Sequence, residues 1–129
     1  MLVMIRGVLD RKDPPTAFYC SNNLITRNAI HALAHLKVRI PESIAIVGFD
    51  DFETANILNP PLTVVRQPIT DMARMGANML FSRLLNGDIS ERGKHIVLPV
   101  ELVVRESCGL RHKLSRPRKQ CYMFEGHLT

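Results

Sequence analysis

Apolar and polar positions along the chain switch between two periods, and the switches mark the elements. Thr16-Ala-Phe-Tyr-Cys20 is a short β-prone run placed directly after Pro14 and Pro15, which stop anything helical before it, so the first strand is expected there. It leads into Ser21, Asn22 and Asn23, side chains suited to capping the free N–H groups of a helix. Ile25, Ala29, Ala32, Leu33 and Leu36 then recur at helical spacing, with Asn28, His31 and His35 on the opposite face, which predicts an amphipathic helix ended by Arg39-Ile-Pro-Glu42. Ser43 to Gly48 is a nearly continuous apolar run and suits a strand covered on both faces of a parallel sheet, reached by a right-handed crossover.

Residues 52 to 61 read as a loop ending in Asn59-Pro60-Pro61, and Leu62 to Arg66 as another short extended segment. A second helix is expected from about Thr70 to Asn86-Gly87, with the stripes Met72/Met75/Met79 and Ala73/Ala77/Leu80/Leu84 and a narrow polar ridge of Arg74, Asn78 and Ser82. A stripe that wide predicts packing on two sides, one against the sheet and one against another chain. His95 to Val104 alternates and is rich in β-branched residues, which predicts a strand that Pro99 confines to an edge or a bulge.

With 129 residues and 46% apolar content the chain can bury a core of its own. It contains no apolar run of roughly 18 residues, and its start carries Arg6, Asp10, Arg11 and Lys12 where a signal peptide needs an apolar stretch, so a cytoplasmic protein without a membrane segment is expected. Cys20, Cys108 and Cys121 form neither a CxxC pair nor an even set, which points to reduced thiols rather than to disulfides or structural zinc. The net charge of +5 is local: residues 105 to 119 hold Arg105, Arg111, Lys113, Arg116, Arg118 and Lys119 against Glu106 alone. Without interleaved aromatics or a DNA-binding motif, that stretch reads as a basic flexible tail over residues 110–129.

In open α/β sheets ligands bind beyond the carboxyl ends of the strands. Ser21-Asn22-Asn23 ends the first strand and Asp50-Asp51 ends the second, so both clusters should face one crevice. A carboxylate accepts hydrogen bonds and an amide both donates and accepts, a pairing that suits the neighbouring hydroxyls of a sugar. Set against this is the plainer reading that Asn22 only caps a helix and Asp50 only ends a strand. Paired Asp50 and Asp51 also fit a magnesium or phosphoacceptor site, but no further acidic cluster or partner lysine accompanies them. His31 and His35 have the spacing of a zinc protease helix without its glutamate, and read as solvated. No phosphate-binding glycine loop and no nucleophile elbow is present, so neither catalytic residues, a metal site nor a cofactor is expected.

Five stretches taken together resemble one known family: Pro15-Thr-Ala; Ser21-Asn22-Asn23; Arg39-Ile-Pro-Glu-Ser-Ile-Ala-Ile-Val-Gly-Phe-Asp-Asp51; Pro60-Pro-Leu-Thr-Val-Val-Arg-Gln67; and Leu98-Pro-Val-Glu-Leu-Val-Val-Arg-Glu-Ser107. In order and spacing, over roughly residues 10 to 108, they are similar to the C-terminal third of lac/galactose-repressor-type transcription regulators. The resemblance implies the α/β fold of a type I periplasmic-binding-protein-like domain, here an incomplete parallel-sheet subdomain over residues 1–109. It implies an effector, usually a sugar or a nucleobase, held in part by Asn22 and Asp50, with Phe49 and Ile69 near the pocket wall. It also implies a homodimer that acts on operator DNA through a separate N-terminal domain, which this sequence lacks together with the first subdomain and the opening βα unit of the second. A sheet missing a strand should expose an edge that recruits another copy. The alternative of the same fold is a periplasmic-type sugar-binding protein serving a transporter.

Overall fold

The computed structural model describes residues 1–86, 95–110 and 122–124. Eight elements follow one another: α1 (Leu2–Leu9), β1 (Ala17–Cys20), α2 (Asn23–His35), β2 (Ala45–Phe49), β3 (Thr63–Arg66), α3 (Ile69–Asn86), β4 (Glu101–Val103) and β5 (Tyr122–Phe124). The chain divides into two units, Met1–Arg66 with Leu102–Thr129, and Gln67–Glu101.

The first unit is built on one sheet in the order β4-β3-β2-β1-β5. β1 pairs in parallel with β2 (Phe18 beside Ile46, Tyr19 beside Val47), and β2 with β3 (Val47 beside Thr63, Phe49 beside Val65). Phe18, Cys20, Ile46, Leu62 and Val64 are buried and meet Ala29, Ala32 and Leu33 from α2 in one core. β2 differs from the expectation of cover on both faces: Ile46 and Gly48 are buried, while Ala45, Val47 and Phe49 are only partly so.

α2 has the cap read from the sequence. The Asn22 side chain accepts from the Ile25 N–H at 2.8 Å, in extended backbone (φ −158°), and the Thr26 hydroxyl donates to the Asn22 carbonyl at 2.7 Å. The end of this helix comes earlier than Arg39-Ile-Pro-Glu42. Lys37 takes a left-handed conformation (φ 56°), its N–H donates to the Ala34 carbonyl, and the Val38 N–H donates to the Leu33 carbonyl, so two orphan carbonyls of the last turn are satisfied before the proline is reached.

Three elements depart from the sequence reading. α1 was not anticipated; it begins without a side-chain cap, and its signal is limited to Ile5, Val8 and Leu9, of which Ile5 is buried in the core. The strand expected over His95–Val104 shrinks to β4, Glu101–Val103, because residues 95–100 carry Pro99, which has no N–H to give a ladder. The open edge of β1 is taken up by β5 in parallel pairing, Phe18 beside Tyr122 and Cys20 beside Phe124, so the chain covers the edge predicted to recruit a partner. Most of the tail expected over 110–129, residues 111–121 and 125–129, lies outside the described residues.

In the second unit α3 starts at Ile69, one residue before the expected Thr70, and its two apolar stripes fare differently. Met75 and Met79 are half-buried beside residues 95–100, around a groove of about 440 Å³. Leu80, Phe81, Leu84 and Leu85 are more than half exposed. No helix of the described residues is long and apolar enough to cross a membrane.

α2 and β2 approach each other closely at Gly48. A Cβ there would lie 2.8 Å from the Thr26 Cγ2, below any normal contact, and 3.1 Å from its Oγ1, a tight one. Gly48→Ala is expected to lower unfolding free energy by about 1–3 kcal/mol, the usual cost of overpacking. Adding Thr26→Ser, which removes the clashing methyl, should recover a good part of that loss in a urea-unfolding double-mutant cycle. Equal losses in the single and double variants would show that the clash does not decide the cost.

Candidate functional site

The parallel register puts the two polar clusters at one edge. Tyr19 sits beside Val47, and Asn22 and Asp50 each follow that pair by three residues, so they leave adjacent strands at the same level. Phe49, partly buried, is the last residue of β2. These three belong to the first unit. Ile69, the fourth residue expected near the pocket, opens α3 in the second unit, where it is largely exposed.

Asp50 is held by its backbone. It is left-handed (φ 70°), a conformation that aspartate tolerates better than most residues, and its N–H donates to the Val65 carbonyl at 2.9 Å at the end of β3. A strained residue of this kind at a strand end is a common mark of a functional position. Its carboxylate is near enough to Tyr19 to matter: the phenol is pushed above its ordinary range, first by burial and then by the negative charge of Asp50. Asn22 has its Oδ1 engaged by the cap, so what it can still offer a ligand is its amide N–H groups. Beside it, Asn23 buries an amide oxygen that accepts no hydrogen bond among the described residues. Donors from Asn22 and acceptors from Asp50 are the complement of a hydroxyl-rich small molecule.

The neighbouring Asp51 does a different job, which the sequence reading missed. Arg105 grips it with both terminal nitrogens, Nη1 to Oδ1 at 3.0 Å and Nη2 to Oδ2 at 2.9 Å, and Arg66 adds Nε to Oδ2 at 3.0 Å and a further contact through Nη2. Arg105 Nη1 also donates to the Leu62 carbonyl at 2.7 Å. Arg105, assigned from the sequence to a basic stretch, is therefore half-buried and neutralised. A hard cation at Asp51 would have to displace two guanidinium groups, which removes the main attraction of the Asp50-Asp51 pair as a magnesium site. Charge alternation across 54 positions leaves no local pattern, so only a long-range pairing signal could have found this contact.

Further back, Ser107 is buried and bridges two strands: its hydroxyl donates to the Ile46 carbonyl at 2.7 Å and accepts from the Thr63 N–H at 2.8 Å. Cys20 is buried close to Thr26, and burial pushes its thiol up to about 11, so it is an unreactive core residue. His31 and His35 are exposed on α2 with nearly parallel rings 6.4 Å apart, and no cluster of three metal-ligating side chains occurs among the described residues.

The fold and this edge together define an open parallel α/β unit with its polar groups gathered where the strands end. Residues 2–108 match the model of the periplasmic binding protein-like domain family. The ribose operon repressor of Haemophilus influenzae is 33% identical over 103 residues, covering 80% of this chain and 30% of the relative. The HTH-type transcriptional repressor PurR of H. influenzae strain PittEE is 32% identical over 101 residues, covering 78% of this chain and 30% of the relative. Among solved structures, a LacI family transcriptional regulator from Enterococcus faecalis V583 with bound ribose superposes with a TM-score of 0.70 at 25% identity, covering 82% of this chain and 38% of that one. The chain belongs to the periplasmic binding protein-like domain family and corresponds to part of the effector-binding domain of lac/galactose-repressor-type regulators. It spans about 30% of the length of the curated relatives it matches.

Two arginines hold the Asp51 carboxyl below the 3.8 of an unperturbed aspartate, the Arg105 hydrogen bonds first and those of Arg66 after burial, which acts in the opposite sense. Because the folded-state value is the lower one, this ion triad stabilises the fold above the unfolded carboxyl's pKa and loses that contribution as pH falls through the folded value. Asp51→Asn should therefore cost about 2 kcal/mol near neutral pH, as expected for charge-assisted hydrogen bonds. The difference from the parent should shrink below about pH 4. Parallel urea-unfolding curves at pH 7 and pH 3 check this; a gap of equal size at both would assign the loss to packing.

Proposed function

We propose that this chain is the C-terminal portion of the effector-binding domain of a cytoplasmic DNA-binding transcriptional repressor, and that residues 1–109 contribute one wall of a pocket for a small polar effector, a sugar by preference. The observation that carries the reading is the equal register of Asn22 and Asp50 at the ends of adjacent parallel strands, with Asp50 held left-handed. Asp50 accepts from a pair of ligand hydroxyls, Asn22 donates to one of them, and Phe49 supplies apolar contact to the ring face. The names of the relatives, repressors in both cases, and the ribose in the Enterococcus structure support a regulator over a transporter's binding protein. No catalytic step is assigned, and neither a metal nor a cofactor has a role.

Operator contact in this reading belongs to a separate DNA-binding domain. The effector shifts a balance between two arrangements of the effector domain, and a dimer passes the shift on. The exposed apolar residues of α3, Leu80, Phe81, Leu84 and Leu85, favour association with a second copy. Light scattering at micromolar concentration should give the mass of a dimer; a monomer would remove the homodimer from the proposal.

In the repressor carrying this segment, Asp50→Ala should weaken ribose binding about tenfold to a hundredfold, the loss of one charged anchor. Operator affinity without sugar should stay unchanged. Calorimetry with ribose and anisotropy with operator DNA measure the two separately. Unaltered sugar affinity would show that Asp50 is not the anchor, and binding of a purine base in place of any sugar would redirect the effector class.

A further inference from the structure

His31 and His35 lie one helical turn apart on the side of α2 that faces away from the core, and both are exposed. Their rings are nearly parallel, 12° apart, with centroids 6.4 Å from each other. We propose that the two histidines chelate one late transition-metal dication, Ni²⁺, Cu²⁺ or Zn²⁺, through a ring nitrogen each. His31 stands nine residues beyond the Asn22 cap, roughly 14 Å along the helix axis, so the site is separate from the strand-end edge. It does not depend on the effector reading.

The helix presents both rings from a fixed backbone. Ala29, Ala32 and Leu33, on its other side, are buried in the core, and the Lys37 and Val38 N–H groups lock the last turn onto the Ala34 and Leu33 carbonyls. The i and i+4 spacing brings two side chains together only in the folded helix, so the donors are preorganised before the ion arrives. Ala34, the exposed residue between them, is too small to block the approach. A metal ~2.0–2.1 Å from a nitrogen of each ring, at a right or tetrahedral angle, sets the centroids about 5 Å apart, so the rings must close by roughly 1.4 Å. The final torsion of a histidine is broad, and at exposed positions a rotation supplies that shift.

The donor set selects the class of ion. α2 contains neither Asp nor Glu, so it offers nothing to the hard cations Mg²⁺ and Ca²⁺, which require oxygen ligands, whereas neutral imidazole suits Zn²⁺, Cu²⁺ and Ni²⁺. His35 is also the last helical residue, where the partial negative charge of the helix C-terminus favours a cation. Arg27, one turn before His31, acts in the opposite sense, but it is exposed and its charge is screened by solvent. Two protein donors leave the other coordination positions to water. Without a carboxylate base on α2 the pair binds an ion and has no means of hydrolysis.

Calorimetric titration of the intact chain with nickel chloride tests the chelate. His31→Asn and His35→Asn should each weaken nickel binding about a hundredfold, because the second bond of a chelate closes at a high effective concentration. His95→Asn, in the second unit, should stay within about twofold of the parent. In amide NMR spectra a substoichiometric amount of the paramagnetic ion should broaden residues 28–38 before any others. Loss in only one of the two variants would reduce the pair to a single-histidine contact and overturn the chelate. Unchanged affinity in both, broadening centred on any other histidine or on a cysteine, or displacement of nickel by an equal concentration of Mg²⁺ would overturn it as well.

Discussion

The parallel pairing of β1, β2 and β3 in a single register is the constraint on which the other features hang. It brings the ends of β1 and β2 to the same level, so Asn22 and Asp50 leave adjacent strands in equal register although 28 positions separate them. The same pairing aligns α2 over β2, where Gly48 admits the side chain of Thr26. Thr26 in turn holds the Asn22 carbonyl and lies close to the buried Cys20, so a strand-to-helix turn, a helix contact and a core thiol share one small residue. A shift of β2 by one residue would bring Val47 or Phe49 under Thr26 and send the strand-end carboxylates to the wrong face.

Polar groups then tie residues 105–107 of the first unit to that sheet. Ser107 joins Ile46 to Thr63, the Ile46 N–H donates to the Ser107 carbonyl, and the N–H groups of Glu106 and Ser107 both donate to the Pro61 carbonyl. Arg105 completes the set through Asp51 and Leu62. Each of these groups is satisfied by a partner far away in sequence, and any one left alone in the interior would carry the cost of an unmade hydrogen bond. Residues 104–109 therefore have one favourable path across the sheet, and Gly109, left-handed beside Pro41, turns the chain at its end.

The second unit shows the opposite balance. α3 has the length and apolar content of a packed helix, yet its half-buried side is a methionine stripe and several of its larger apolar residues are exposed. The width of its apolar stripes made this helix look doubly covered. Its described surroundings cover only one narrow face, because the other apolar residues have no complementary surface among residues 67–101.

Much of the architecture was legible in local patterns: the proline stop before β1, the Asn22 cap, the spacing of Ala29, Ala32 and Leu33, the apolar run ending at Asp50-Asp51, and with them the alternating α/β order. These are decided by periods of two and 3.6 residues and by side chains that bond their own backbone, all within a few positions of each other. The resemblance carried the pairing of Asn22 with Asp50 further than pattern could. What the tertiary structure alone decided is non-local: the left-handed backbone of Asp50, the grip of Arg66 and Arg105 on Asp51, the bridge made by Ser107, and the placement of β5 on the edge of β1. Those contacts join residues 15 to about a hundred positions apart, and their energy depends on desolvation and geometry that exist only once the sheet has assembled. The sequence could show that Asp50 and Asp51 were both acidic; only the fold tied one by its backbone to the end of β3 and gave the other to two arginines.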